Sequence, residues 1–227
     1  MYRGKLRETK PTIVGLNRKG TQPDFSLERN YWAEGRYVAG IDEAGRGALA
    51  GPVVAAAVIF PIGFDSEIRL DDSKKLTPAE RETAYQIIIA KALSVGVGFV
   101  ANDRIDKVNI LNATFEAMAA AFSRLDPQPD FLLVDGNRFL DCGVPYLTIV
   151  KGDSLVSSIA AASIVAKVER DRFMTDVAGK LYPDYEFGRH KGYGTERHIK
   201  SIENYGTCEI HRISFLGKYI NQLNLFK

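Results

Sequence analysis

Short apolar runs bounded by glycine, proline and aspartate punctuate this chain and alternate with longer segments of helical spacing. YVAGI (37–41), PVVAAAVIF (52–60) and SVGVGFV (94–100) read as three successive strands, and FLLVD (131–135) and YLTIV (146–150) as two more, buried ones. Helical patterns occupy 25–34, 78–92, 109–125 and 154–174. The second of these has a marked start: Thr77 as cap, Pro78 at the first position and Glu80 placed to close a capping box. Ser157, Ser158, Ala161 and Ala162 are small enough to let the last helix lie close against a sheet. The first three strands can pair antiparallel, and the later helix–strand alternation supplies parallel strands. The expected fold is therefore α/β, with a mixed five-stranded sheet flanked by helices. Residues 1–24 read as a flexible basic extension containing Pro11, Gly15, Gly20 and Pro23, and 25–186 as the main domain. Residues 187–221 read as a C-terminal helical lobe broken by Gly192, Gly194 and Gly206, and 222–227 as a tail.

Composition narrows the class. The 227 residues are 45% hydrophobic, enough for one good core. No apolar run approaches the roughly 20 residues needed to cross a bilayer, and the N-terminus lacks the apolar stretch of a secretory signal. Cys142 and Cys208 have no metal-type spacing, which argues against a disulfide framework or zinc site and for a reducing, cytoplasmic setting. The net charge of +2 conceals a pattern: residues 1–36 and 187–227 each carry +4, and the centre carries −6. Basic ends around an acidic centre suit a protein that grips phosphate at its periphery and holds cations in its middle, although uneven surface charge would look the same.

Four acids fall at comparable places. Asp42 and Glu43 end the first strand, Asp135 ends FLLVD just before Gly136, and Asp153 precedes the long helix. Neighbours within a strand point to opposite faces, so Asp42 and Glu43 can share one site only where the chain begins to turn, as Gly45 and Gly47 indicate. Carboxylates gathered at strand ends repel one another unless a hard divalent ion such as Mg²⁺ or Mn²⁺ neutralises them. Taken singly, each has a plainer account: Asp153 as an N-cap, Asp135 as a turn residue, Glu43 as a surface acid.

The context of these acids is distinctive. GIDEAGRGALAGPVVAAAVIF (40–60) closely resembles the signature segment of bacterial ribonuclease HII. So do DDSKKL (71–76), NILNAT (109–114), LLVDG (132–136), the segment from KGD to AKVERDR (151–172), YPDYEFGRHKGYGT (182–195) and HRISF (211–215), all in the family's order. The resemblance implies a ribonuclease H-like fold and metal-dependent endonucleolytic hydrolysis of the RNA strand of RNA–DNA hybrids. Cutting would fall 5′ of a ribonucleotide embedded in duplex DNA, leaving 3′-hydroxyl and 5′-phosphate ends, in ribonucleotide removal during replication and repair. It implies Asp42, Glu43, Asp135 and Asp153 as the catalytic, metal-binding set, and Gly45, Arg46 and Gly47 as the loop that senses the 2′-hydroxyl. Tyr193 matches the tyrosine that stacks on the following sugar. Lys74 and Lys75 are candidate phosphate contacts, and His190, His198 and His211 receive no catalytic role. Two departures stand out: Ala48 where the family often has proline, and Leu216-Gly217 after HRISF. The related ribonuclease HIII class lacks the Gly-Arg-Gly loop and carries an extra N-terminal domain, for which residues 1–36 are too short.

The tail resembles a sliding-clamp-binding peptide through Gln222, Leu223, Leu225 and Phe226, and an exposed terminus is where such a peptide must lie. No feature demands a partner subunit, so a monomer is expected. Two other readings are a metal-dependent DNA nuclease or integrase-like transferase on the same architecture, and a protein that binds hybrids without cutting. The Gly-Arg-Gly loop with Tyr193 argues against the first, and retention of all four acids against the second.

Overall fold

A computed structural model describes residues 22–65, 70, 76–140 and 142–217. Its five strands are β1 (Val38–Ala44), β2 (Val53–Ile59), β3 (Ser94–Val100), β4 (Phe131–Asp135) and β5 (Tyr146–Ile149), forming one sheet in the order β3-β2-β1-β4-β5. β1, β2 and β3 pair antiparallel, while β4 runs parallel to β1 and β5 parallel to β4. This is the mixed sheet that the apolar runs imply. One boundary moves. β1 continues three residues past the YVAGI run because Asp42 and Glu43 stay in register with Ala56 and Ala55 of β2. The parallel ladder to β4 ends earlier, at Ile41 opposite Val134. Asp42 and Asp135 are therefore the next residues on neighbouring parallel strands, on the same face, where the ladder has just opened.

Helix α1 (Ser26–Trp32) precedes the sheet, and α2 (Pro78–Lys91) begins with the expected box: the Glu80 N–H donates to Thr77 Oγ1 at 3.3 Å and the Thr77 N–H to Glu80 Oε2 at 2.8 Å. α3 (Asn102–Phe122) covers one face of the sheet and α4 (Ser157–Arg172) the other. α3 starts seven residues before the predicted helix, over the polar stretch NDRIDKV. It breaks at Asn109 (φ 68°, ψ 165°), whose Oδ1 accepts the Asn112 N–H at 3.1 Å and so caps the second half. α4 starts at Ser157 rather than 154, because Gly152–Ser154 forms a separate 3-10 turn; beyond Arg172 it continues as a π-helical turn, Phe173–Ala178. The small residues at its start do bring it close to the sheet. A Cβ placed on Gly40 of β1 would stand 2.1 Å from the Ser158 carbonyl carbon.

After the short α5 (Gly179–Leu181), the C-terminal segments α6 (Phe187–His190) and α7 (Glu196–Tyr205) share an apolar cluster with Met174, Tyr185 and Leu216. Leu49 and Ala50, from the loop joining β1 to β2, insert into that cluster. One short loop therefore belongs at once to the end of the sheet and to the lobe. Among the described residues no helix is long and apolar enough to cross a membrane, and Cys142 and Cys208 are not joined by a disulfide.

Candidate active site

Where the ladder between β1 and β4 opens, a cleft of about 580 Å³ forms. Asp42, Glu43 and Asp135 line it, together with Gly45, Arg46 and Gly47, and with Tyr193 from the lobe. Arg81 of α2 and Ser163 and Lys167 of α4 complete the wall. Asp42 is buried, and its carboxyl is held well above the usual range, first by loss of water and then by the charges of Glu43 and Asp135. Repulsion among crowded carboxylates is what a cation relieves. Each acid also has a local donor: the Glu43 N–H donates to Asp42 Oδ1 (2.7 Å), Arg46 Nη1 to Glu43 Oε1 (3.0 Å) and the Gly152 N–H to Asp135 Oδ1 (2.6 Å). Among the described residues, no three acidic, histidine or cysteine side chains already form a closed metal-ligand cluster. Asp153 is buried in the 3-10 turn, one residue past that Gly152, and is not part of the cleft lining. It is also not the cap of α4, whose N-cap position is Val156.

The two glycines of the Gly-Arg-Gly loop do different work. Gly45 has φ +90°, and a Cβ there would stand 1.9 Å from Arg170 Nε, so this glycine makes room for a buried guanidinium. At Gly47 a Cβ would meet nothing within 4 Å, so this glycine is bare towards open space. Ala48, where proline is usual, donates its N–H to the Gly45 carbonyl at 3.3 Å, a turn bond that proline could not make. The Tyr193 ring shares the cleft wall, with Lys167 Nζ 5.6 Å and the Arg170 guanidinium carbon 5.2 Å from its centroid.

A family model for ribonuclease HII matches residues 39–218. This chain belongs to the ribonuclease HII family. The ribonuclease HII of Syntrophus aciditrophicus is 53% identical over 193 residues, covering 85% of this chain and 90% of that protein. Among solved structures, the ribonuclease H2 of Pyrococcus horikoshii superposes with a TM-score of 0.67 at 27% identity, over 83% of this chain and 99% of that one. The ribonuclease HII in a complex with PCNA from Archaeoglobus fulgidus gives 0.65 at 26%, over 78% and 94%. The protein is accordingly an endoribonuclease that hydrolyses the RNA strand of RNA–DNA hybrids and depends on divalent metal.

Not all the residues singled out from the sequence of this ribonuclease HII are among those described. Lys74, Lys75, residues 1–21 and the tail residues Gln222, Leu223, Leu225 and Phe226 fall outside the described residues. Conversely, sequence reasoning passed over Arg81, Ser163 and Lys167. The signal was present for two of them, since Ser163 and Lys167 stand four apart on a helix and share a face. The three histidines are buried in the lobe, outside the cleft lining. The Cys208 N–H donates to His211 Nδ1 (2.8 Å), leaving the proton of His211 on Nε2, which faces His198 Nε2 at 3.1 Å. His198 then carries its proton on Nδ1 and donates to the Tyr193 carbonyl at 3.0 Å. His190 accepts the Gly192 N–H on Nδ1 (3.2 Å) and donates from Nε2 to the Tyr185 carbonyl (2.7 Å). The tautomers follow from which partners can donate. The chain of bonds ends on the backbone of Tyr193, so the lobe's interior places the cleft's tyrosine.

Proposed function

We propose that Asp42, Glu43 and Asp135, joined by Asp153, hold the divalent ions, Mg²⁺ or Mn²⁺, and that the enzyme cuts on the 5′ side of ribonucleotides embedded in duplex DNA. The observation that carries this reading is the adjacency of Asp42 and Asp135 at the open end of the parallel ladder, with Glu43 beside them and the Asp42 carboxyl raised by burial and then by these neighbouring charges. The donor set fits hard cations, since three carboxylates meet in one cleft and their oxygens rest on groups that a side-chain rotation releases. Bound divalent ions supply charge neutralisation and an activated water for phosphodiester hydrolysis, giving 3′-hydroxyl and 5′-phosphate ends. The protein's own part is to hold the strand. Lys167 and Arg81 present positive charge beside the acids, Gly45, Arg46 and Gly47 approach the 2′-hydroxyl with backbone groups, and the Tyr193 ring packs on the next sugar. The lobe of residues 187–221 acts as the substrate-binding part.

The test is cleavage of a labelled duplex containing one ribonucleotide, with an all-DNA duplex beside it. Cutting is expected only 5′ of the ribonucleotide and only with divalent metal. Asp42→Asn and Asp135→Asn should each lower the rate by roughly a thousandfold, the scale of several kcal/mol of metal-borne charge stabilisation. Cleavage of the all-DNA duplex, or near-normal rates in both variants, would defeat the reading.

The wider setting belongs to the same proposal: a cytoplasmic monomer acting in ribonucleotide removal during replication and repair, with Lys74 and Lys75 on phosphates. The tail, with Gln222, Leu223, Leu225 and Phe226, would bind a replication sliding clamp. The structure of an archaeal family member in complex with PCNA supports clamp recruitment as a property available to this fold. Deleting residues 222–227 should abolish clamp capture in a pull-down and leave cleavage of short duplexes unchanged.

A further inference from the structure

Two arginines that the reading above leaves unused lie directly behind the loop joining β1 to β2. Arg170 of α4 and Arg212 are fully buried. Arg170 donates from Nε to the Pro52 carbonyl (2.9 Å), from Nη2 to that of Ala50 (3.1 Å) and from Nη1 to that of Lys191 (2.9 Å). Arg212 donates from Nε to the Gly51 carbonyl (2.9 Å) and from Nη1 to that of Arg46 (3.0 Å), and its Nη2 has no partner among the described residues. Neither guanidinium is matched by a carboxylate at ion-pair distance among those residues. Two charges buried side by side with no carboxylate to neutralise them are costly. Burial pushes both below the ordinary arginine range, and the neighbouring Arg170 charge helps bring Arg212 to about 9.

The return on that cost lies in the geometry of the peptide unit. In a planar trans peptide the C=O and the following N–H point in opposite directions. Arg212 draws the Arg46 carbonyl inward, so the Gly47 N–H is turned the other way, and Gly47 lines the cleft. The N–H groups of Arg46 and Gly47 donate to no acceptor among the described residues. Arg170 packs beneath Gly45, fixes the far end of the loop through Ala50 and Pro52, and ties the same framework to Lys191, two residues before Tyr193.

We infer that Arg170 and Arg212 are positioning residues for ribonucleotide recognition: by holding the loop's carbonyls inward they aim its amides at the sugar that the cleft receives. The inference rests on the loop being the 2′-hydroxyl sensor. It makes discrimination, rather than general grip on DNA, depend on two side chains that never touch the substrate.

The experiment measures binding, in EDTA at fixed salt, to a duplex with one ribonucleotide and to its all-DNA counterpart. Arg170→Lys and Arg212→Lys are made separately. Lysine keeps the charge but has no fork to hold two or three carbonyls. Each should lower the preference for the ribonucleotide duplex about tenfold, the scale of a lost charge-assisted hydrogen bond, while all-DNA affinity stays within about twofold. Thermal melting establishes which variants fold, and either one suffices for the test. A folded variant that keeps the wild-type preference, or that loses both affinities in proportion, overturns the inference. Gly47→Ala separates it from the reading beneath, because that methyl meets no protein atom and obstructs only the sugar. Equal binding of both duplexes by the wild type, or an unchanged preference in Gly47→Ala, sinks the sensor. Loss of preference in Gly47→Ala with retention in the lysine variants sinks the arginine inference alone.

Discussion

Glu28 of α1 is a carboxylate taken out of water to serve another helix. Its Oε1 accepts the Ser158 N–H at 2.8 Å, at the start of α4, where the chain's own N-cap residue, Val156, offers no side-chain bond. Oε2 is buried without a partner among the described residues. Loss of water, more than any neighbour, raises this carboxyl from the 4.5 of a free glutamate to about 7. Between those values the folded state binds the extra proton, so stability falls as pH rises from about 4.5 to 7 and the ionised form stays a burden above that. Glu28→Gln should therefore be more stable than wild type at pH 8, by roughly 3 kcal/mol at most, and no more stable at pH 4. Urea midpoints at the two pH values check this, and a constant difference would refute it. Glu28, Arg170 and Arg212 were all opaque in the sequence for one reason: charged side chains are ordinarily solvated, and spacing alone does not announce a buried one. The acids of the cleft were legible because each ends or nearly ends an apolar run beside glycine, a pattern that burial and turning chain produce together.

Elements were readable to the extent that their apolar positions repeat. All five strands stand where the runs put them, and the capping box on α2 could be written from Thr77, Pro78 and Glu80. The first half of α3 escaped because only Ile105 among its residues is buried before the break at Asn109, too few to show a period. Asp42 and Glu43 were read as the strand's end, and pairing with β2 keeps these poor strand formers extended, so that β1 closes one residue later, at Ala44. What positions the cleft between elements is close approach. Gly40 of β1 lets the backbone of α4 come within a distance that any Cβ would violate, at 2.1 Å from Ser158 C and 2.4 Å from Ile159 N. Neither of those atoms belongs to a movable side chain, so Gly40→Ala must push α4 off the sheet and carry Ser163 and Lys167 with it. The expected cost is about 3 kcal/mol or more, the upper range for overpacking a tight core, with a fall in activity beyond what the unfolded fraction explains. Gly47→Ala, with no protein atom to meet, should melt like wild type. Equal melting temperatures for the two variants would show that the helix does not rest on that glycine.

For the molecule as a whole, the lobe is the part whose integrity depends on neutral imidazoles. His190, His198 and His211 are stacked or tilted against one another, with His190 and His198 centroids 4.4 Å apart, and Phe187 and Tyr185 pack on them. A proton added to His198 Nε2 would face the N–H of His211, and burial already lowers the His198 pKa to about 4, with His190 and His211 lowered as well. The unfolded chain takes up protons near 6.5 while the folded lobe resists them, so stability is complete above that pH and is lost as pH falls towards 4. His198 alone accounts for roughly 3 kcal/mol over that interval at most. Glu28 titrates in the opposite sense across part of the same range, so the two effects cancel in the wild type and must be separated. In the Glu28→Gln background, the urea midpoint should fall steadily between pH 6.5 and 4.5, and His198→Gln should flatten that fall. Because His198 holds the Tyr193 carbonyl and Arg170 holds that of Lys191, loosening the lobe also releases the cleft's tyrosine. Preference for a ribonucleotide-containing duplex should then weaken at mildly acid pH before Trp32, packed among Phe25 and the body of the sheet, changes its fluorescence. A preference that survives until the tryptophan signal moves would mean that lobe and sheet come apart in a single step.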